Sequence, residues 1–176
     1  MFVVVYISFM GYAGDRVTAW LHPELDPGDT GYQILQSLYA IGSGGLFGLG
    51  YGKSRQKYLY LPFQYNDYIF AVICEELGLV GAMAIVALFA VTILRGYWIA
   101  LNARDRFSTV LAAGLVTLIA VQTILNLCVV TNLLPSTGIA LPFFSYGGTA
   151  LAVNLGEMGI VLGISRGRNR RKIQEA

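Results

Sequence analysis

Residues 77–94 read Leu-Gly-Leu-Val-Gly-Ala-Met-Ala-Ile-Val-Ala-Leu-Phe-Ala-Val-Thr-Ile-Leu, a run without one charged side chain. Further along the chain, residues 107–165 contain a single charged residue, Glu157. A helix needs about 20 mainly apolar residues to cross a bilayer, so both runs can enter one. The composition agrees, because 56% of the residues are hydrophobic and only 12% are charged. These proportions exclude an ordinary soluble domain and indicate an all-α polytopic membrane protein.

The second run is too long for one crossing, and its prolines divide it. Pro135, Gly138 and Pro142 interrupt any helix there, because proline removes a backbone donor and glycine favours turns. The glycine-rich stretch before the first run is a marginal or broken span, since each glycine weakens a helix. The predicted spans are therefore 1–13 (the truncated end of a helix, not a signal peptide), 31–50 (marginal), 69–95, 108–133 and 146–165.

Lys and Arg residues set the predicted orientation. The short loop with Arg95, Arg104 and Arg106 is separated from the basic tail, residues 166–176, by two predicted crossings. Both can therefore lie in the cytoplasm, where positive charge collects. Residues 51–68 then form a large loop on the outer side.

Part of this outer loop, residues 53–67, reads Lys-Ser-Arg-Gln-Lys-Tyr-Leu-Tyr-Leu-Pro-Phe-Gln-Tyr-Asn-Asp. Lys53, Arg55 and Lys57 alternate, so an extended strand would point all three side chains the same way. Such a surface suits a phosphate or pyrophosphate group. The alternative is a solvated loop with ordinary basic residues.

Asp67 stands where the loop re-enters the membrane, beside Tyr65 and Tyr68. Partial burial would raise its pKa toward that of a useful general base, while nearby cations would lower it. Alternatively, Asp67 or Asn66 caps the first turn of the helix that follows. Both interpretations stay open at the level of the residues.

Other polar residues lie inside the predicted spans. Glu75 and Glu76 are adjacent, and since neighbouring helical residues point about 100° apart, only one of them can easily face a bundle interior. Glu157 is either functional or paired for assembly. Gln122 and Asn126 share a helix face and are interpreted as interhelical hydrogen-bonding residues.

Several short sequence motifs occur one after another along the chain. Residues 54–57 read Ser-Arg-Gln-Lys, and residues 133–148 read Leu-Leu-Pro-Ser-Thr-Gly-Ile-Ala-Leu-Pro-Phe-Phe-Ser-Tyr-Gly-Gly. With residues 31–48, Leu61-Pro62 and 67–78, they make the chain resemble the SEDS family (shape, elongation, division and sporulation). The Ser-Arg-Gln-Lys form is more similar to the FtsW and SpoVE branch than to RodA.

This resemblance implies a fold and an activity. The fold would be a ten-helix bundle with a large extracellular loop, of which this chain is the C-terminal half. The activity would be that of a peptidoglycan glycosyltransferase, polymerising lipid II at the outer face of the bacterial cytoplasmic membrane during division or sporulation. The essential carboxylate would be Asp67, and the substrate-binding residues would be Lys53, Ser54, Arg55, Gln56 and Lys57.

The resemblance also implies partners. A class B penicillin-binding protein and other division or sporulation membrane proteins are expected, and nucleic acid is not. The predicted cofactor is at most a divalent cation, Mg²⁺ or Mn²⁺, and no residues are predicted to form a dedicated metal site. The chain departs from the family pattern at Phe63, where Glu is usual, at Asn66 and Tyr68, which replace Thr and Phe, and at Glu157.

Two other functions remain open from the sequence. A lipid II flippase is favoured by polar residues within the spans, Gln122, Asn126 and Glu157, although most of the charge lies in the outer loop. A non-catalytic scaffold that recruits a transpeptidase is the third possibility.

Overall fold

The structure is a computed structural model of the chain, and it describes residues 14, 16–25, 30–54 and 67–174. Regular secondary structure in these ranges is entirely helical, which confirms the predicted all-α class. Residues 16–21 form a short helical stretch that leads into a 3₁₀ turn. The later elements are the 3₁₀ turn Pro23–Leu25 and the helices α1 (Thr30–Gly44), α2 (Ile69–Leu101), α3 (Arg106–Val130) and α4 (Gly148–Gln174). The predicted span 1–13 and loop residues 55–66 lie outside the described residues.

Three helices are long and apolar enough to cross a membrane: α2, α3 and residues Gly148–Gly167 of α4. The chain is therefore a multi-pass membrane protein. Helix α1 has 15 residues, begins one residue before the predicted marginal span 31–50 and ends inside it. At 1.5 Å per residue it is about 22 Å long, shorter than the roughly 30 Å hydrocarbon core.

Helices α2 and α3 are joined by a short turn, in which Asp105 is the N-cap of α3. The Asp105 carboxylate accepts hydrogen bonds from Ser108 N at 3.0 Å and from Ser108 Oγ at 2.8 Å. These bonds satisfy donors at the start of α3, and they lower the pKa of Asp105. The long apolar run thus ends in a tight polar turn.

Helix α2 is the centre of the packing, because it contacts α1 on one side and α3 on the other, while α4 packs mainly on α3. Two buried clusters lie at opposite ends of α2. The cluster at its start includes Tyr68, Phe70, Ala71, Phe89, Val130 and Leu141. The cluster at its end consists of Ala100, Ala112, Val116 and Val161.

Helix α2 is broken at Gly78, whose φ of 65° and ψ of −168° are not helical. Residues 45–50, called the crossing segment below, run along this break. Leu49 N donates to Glu75 O at 2.9 Å, and Leu79 N donates to Gly45 O at 2.9 Å. Bonds from Gly50 N to Glu76 O and from Val80 N to Leu46 O extend the same ladder. The crossing segment therefore satisfies backbone groups that the break would leave unpaired.

The crossing segment also changes the burial of the two adjacent glutamates. Glu75 is 1% exposed and Glu76 is 7% exposed, so the prediction that only one of them would face the interior is wrong. The crossing segment covers a second side of α2 at this point. The side chains of Glu75 and Glu76, which point about 100° apart, are therefore both covered by protein.

Residues 131–147 separate α3 from α4 without regular structure, as the prolines and glycine predict. Asn132 adopts a left-handed conformation with a φ of 58°, and Leu133 N and Leu134 N both donate to Cys128 O, which ends α3. Leu141 is buried against the cluster at the start of α2. This irregular segment is thus packed in protein beside Asp67.

Candidate active site at the start of helix α2

Asp67 lies in the turn immediately before α2, and its side chain is half-buried. The N-cap position of α2 belongs to Tyr68, and no side chain among the described residues caps this helix. The structure therefore does not support the alternative that Asp67 serves as the helix cap. Its carboxylate is directed elsewhere.

Gly138 faces the Asp67 carboxylate. An ideal Cβ built on Gly138 would lie 3.8 Å from Asp67 Oδ2, and Gly138 has a φ of 69°. Glycine adopts this left-handed conformation without strain, and it leaves the carboxylate room on that side. Residues 131–147 therefore form one wall of the site around Asp67.

Asn126 of α3 joins these two parts. Its Nδ2 donates to the main-chain oxygen of Asp67 at 2.8 Å and to that of Ile139 at 2.8 Å. Asn126 does form hydrogen bonds, but the prediction that it bonds another helix is wrong, because both partners are main-chain oxygens outside the helices. Gln122, one turn earlier, lines a cavity instead.

Arg16 is a functional candidate that the sequence analysis missed. Its Nη1 donates to Ser136 O at 2.8 Å, which places the guanidinium beside residues 131–147. The signal available in the sequence was that Arg16 is the only Lys or Arg among residues 1–52. Its proximity to Asp67, 51 positions later, could not be read from any local pattern.

The pKa of Asp67 is raised by burial, and the positive charge of Arg16 opposes that rise. Burial also raises the pKa of Tyr68 to about 12, with the Asp67 charge adding to the effect and Arg16 acting against it. Tyr68 is therefore a neutral phenol at physiological pH. Its hydroxyl is buried without a hydrogen-bond partner among the described residues.

The cationic part of the loop is described only at its start. Lys53 is exposed, whereas Ser54 is 1% exposed and its hydroxyl bonds Glu75 Oε2. The hydroxyl of Ser54 is thus engaged inside the protein, and its contact with a substrate stays a prediction. Arg55, Gln56 and Lys57 lie outside the described residues, so their common face also stays a prediction.

A cavity of about 430 Å³ lies close to this site. Its lining combines apolar residues with three polar side chains, those of Gln122, Thr149 and Asn154. Ile139, which shares Asn126 with Asp67, is also part of the wall. The cavity therefore extends from the neighbourhood of Asp67 toward α4.

Acidic groups do not gather around Asp67 in the described part of the chain. No group of three or more His, Cys, Asp or Glu side chains that could hold a metal occurs within it. Glu157 lies in α4, 8% exposed, and its Oε2 has no hydrogen-bond partner among the described residues.

The family model for FtsW, RodA and SpoVE, described as cell cycle protein, matches residues 1–170. Stage V sporulation protein E of Bacillus subtilis is 50% identical over 155 residues, which is 88% of this chain and 42% of that protein. A probable peptidoglycan glycosyltransferase FtsW of Trichlorobacter lovleyi is 45% identical over 166 residues, 94% of this chain and 44% of that protein. The chain thus spans less than half the length of these relatives.

Two solved structures are similar. One is a peptidoglycan synthase complex, described for its structural coordination of polymerization and crosslinking. It matches 94% of this chain and 45% of its own chain, with a TM-score of 0.73 and 29% identity. The other is a mutant of the rod shape determining protein RodA of Thermus thermophilus, with a TM-score of 0.59 and 32% identity. It covers 75% of this chain and 40% of its own.

Proposed function

The chain belongs to the FtsW/RodA/SpoVE family of cell cycle proteins, and we propose that its protein is a glycosyltransferase that polymerises lipid II into glycan strands. The observation that carries this proposal is the half-buried Asp67, held at the membrane entry of α2 beside Gly138 and Arg16. Relatives named probable peptidoglycan glycosyltransferase support the reaction class. The reaction takes place at the outer face of the bacterial cytoplasmic membrane, in division or sporulation.

Asp67 acts as the general base in this proposal. Its carboxylate takes the proton of the acceptor sugar hydroxyl while that oxygen attacks the anomeric carbon of the donor. The bond from the anomeric carbon to the pyrophosphate oxygen breaks, and the pyrophosphate leaves with the electron pair. One displacement inverts the α-linked donor to a β-linked product. A raised pKa makes Asp67 a stronger base than an exposed carboxylate.

The leaving pyrophosphate needs positive charge. Lys53 is exposed at the start of the outer loop, and Arg55 and Lys57 follow it in the sequence. Ser54 and Gln56 are proposed as further contacts with the substrate. Charge-assisted hydrogen bonds from these side chains would stabilise the departing group. Arg16 adds a cation close enough to Asp67 to lower its pKa.

A divalent cation, Mg²⁺ or Mn²⁺, fits the described residues poorly as a resident cofactor. Such ions prefer several oxygen ligands, and within the described ranges Asp67 belongs to no group of three or more His, Cys, Asp or Glu side chains that could hold a metal ion. A cation carried in by the pyrophosphate is the form that the site could accommodate. No step of the mechanism depends on it.

Replacing the carboxylate tests the assignment directly. Asp67→Asn, made in the full-length natural protein, should abolish polymerisation of purified lipid II, because the amide cannot accept the proton. Asp105→Asn is the matched control, since it changes another Asp beside a helix start, far from the site. Polymerisation by Asp67→Asn at the wild-type rate would contradict the catalytic role.

A class B penicillin-binding protein is the proposed partner. Support comes from the similar peptidoglycan synthase complex, in which polymerisation and crosslinking are structurally coordinated. Other division or sporulation membrane proteins would assemble with the pair. The partner would crosslink the strands that the site at Asp67 releases.

A lipid II flippase is a second candidate, because the cavity is lined by Gln122 and Asn154, and Glu157 is buried in the same helix as Asn154. Transport does not need a general base. Lipid II translocation retained by Asp67→Asn, with no polymerisation by the wild type, would favour this function.

A further inference from the structure

Asn126 is almost fully buried, at 1% exposed, and it uses its amide nitrogen twice. One bond reaches the main-chain oxygen of Asp67 and the other that of Ile139, both at 2.8 Å. A side-chain amide nitrogen has two N–H donors, so the donor capacity of Asn126 is fully used by these two carbonyl groups. Neither bond holds α3 together.

The two bonds connect segments that are far apart in the chain. Asn126 and Asp67 are 59 positions apart, whereas Ile139 follows Asn126 by 13 positions. Gly138, next to Ile139, is the residue that faces Asp67 Oδ2. A single amide therefore sets the distance between the residue that carries the carboxylate and the wall opposite it.

We propose that Asn126 is a positioning residue for Asp67, holding its main chain against residues 138–139 so that the carboxylate keeps a fixed place facing Gly138. The proposal rests on the proposed function, in which Asp67 is the base. It goes beyond a packing role, because packing requires only that the amide be buried and hydrogen-bonded. Misplacing a catalytic group by about 1 Å can cost about 10²-fold in rate.

The pH dependence of activity can report where the Asp67 carboxylate lies, because its pKa depends on its burial and on nearby charges. Arg16 is the charged group that shifts the pKa of Asp67 in the described part of the chain. The neighbouring Tyr68 is a neutral phenol, and Asn126 is neutral. Burial is the larger of the two effects on the carboxyl. A carboxylate released from the wall would be better hydrated, so the acid limb of activity should move to lower pH.

Three variants of the full-length natural protein test the proposal. Asn126→Ala removes both donors, and Asn126→Asp keeps the shape of the side chain but replaces the donors with an acceptor. Thr123→Val is the matched control, since Thr123 is 3% exposed on the same helix and its hydroxyl bonds only Ile119 O among the described residues. Lipid II polymerisation is measured against substrate concentration and pH.

We expect kcat of both Asn126 variants to fall by about 10²-fold with KM changed by less than about twofold. The acid limb of Asn126→Ala should also move to lower pH, while Thr123→Val keeps the wild-type profile. If loss of packing were the whole effect, activity would fall by the same factor at every pH, in step with the folded fraction seen in thermal unfolding. That result, or wild-type kcat in Asn126→Ala, would overturn the proposal while the inactivity of Asp67→Asn kept the proposed function in place.

Discussion

Asp67 experiences two opposing influences on one carboxyl group. Burial in the turn before α2 disfavours the charged form, and Arg16, fixed by its bond to Ser136 O, favours it. Burial is the larger effect, so the pKa is raised. The balance gives a carboxylate that binds a proton more tightly than an exposed one.

Activity should therefore depend on pH in a particular direction. The base must be ionised, so the rate should fall as pH decreases through the raised pKa of Asp67, at higher pH than an ordinary carboxyl would require. A pH–rate profile of lipid II polymerisation measures this limb. Arg16→Gln should move the limb to still higher pH, because the opposing charge is lost. A limb at or below the range of exposed carboxylates would contradict the raised pKa.

Folding stability should depend on pH in the opposite direction from activity. Since the folded-state pKa of Asp67 is raised, the folded state holds this proton more tightly than the unfolded state does. The contribution of Asp67 to stability is therefore lost as pH rises through that pKa. Asp67→Asn should unfold in detergent at a temperature equal to or above that of the wild type at neutral pH. A clear drop in melting temperature would instead indicate a structural role.

At the scale of elements, the break in α2 and the crossing segment form one unit. Gly78 has a left-handed φ, and a Cβ there would lie 2.6 Å from Leu46 O. The backbone ladder across the break allows no larger residue without moving the crossing segment. Glycine is therefore required at this position by both conformation and space.

Gly78→Ala should destabilise the protein by at least about 1 kcal/mol before any overlap is counted, because a φ of 65° with a ψ of −168° is a conformation that essentially only glycine adopts. Gly114→Ala is the control, because it lies inside α3 and a Cβ there would meet nothing within 4 Å. That control should be neutral or stabilising, since alanine favours helix. Thermal unfolding of both variants in the same detergent gives the comparison, and equal melting temperatures would contradict the packing at the break.

The cationic loop gives a second prediction at this scale. Neutralising Lys53, Arg55 and Lys57 together should reduce turnover of lipid II far more than it changes stability. Lys53 is exposed, and charges in a solvated loop, as the sequence predicts for all three, contribute little to folding. Lys57 should matter most, as it lies nearest Asp67 in sequence. Turnover and melting temperature are measured on the same preparation. Unchanged turnover would make this an ordinary solvated loop.

The sequence predicted the elements better than it predicted their contacts. The charge-free run before Arg95 and the prolines at 135 and 142 are local signals, and they place α2 and the irregular segment after α3. The break at Gly78 has no such signal, since an isolated glycine inside a helical pattern costs only about 1 kcal/mol. Its conformation depends on the crossing segment, some 30 residues earlier in the chain.

In the candidate site, too, local sequence signals identified a residue but not its contacts. Asp67 was identified from its position in the loop and from the resemblance, both of which are properties of the sequence. Arg16 and Ser136 meet across 120 positions, and Asn126 reaches Asp67 across 59. No hydrophobic period or short motif encodes such distances, because tertiary packing alone sets them.

At the scale of the whole molecule, the length of α2 exceeds what one crossing needs. Its 33 residues extend about 50 Å, whereas the hydrocarbon core is about 30 Å thick. Residues 79–101, after the break, are about 35 Å long and can cross alone. The part before Gly78 is then expected near the outer surface, together with Asp67.

Cysteine labelling tests this orientation. In a background without Cys74 and Cys128, Lys53→Cys should react with a membrane-impermeant thiol reagent in intact cells, and Asn102→Cys only after permeabilisation. Lys53 and Asn102 are both exposed, whereas Ser54 in the same loop is 1% exposed and would be a poor choice. The reverse labelling pattern would place Asp67 in the cytoplasm.

Both ends of the outer loop are attached to the same short piece of helix. Ser54 is bonded to Glu75, and Asp67 leads directly into Ile69. The chain between these anchors can therefore change in length at little energetic cost, because closing a loop becomes harder only slowly as residues are added, by about 0.6 kcal/mol per doubling. Variants of this loop can thus change the proposed contacts with the donor pyrophosphate while the helices that support the loop stay the same.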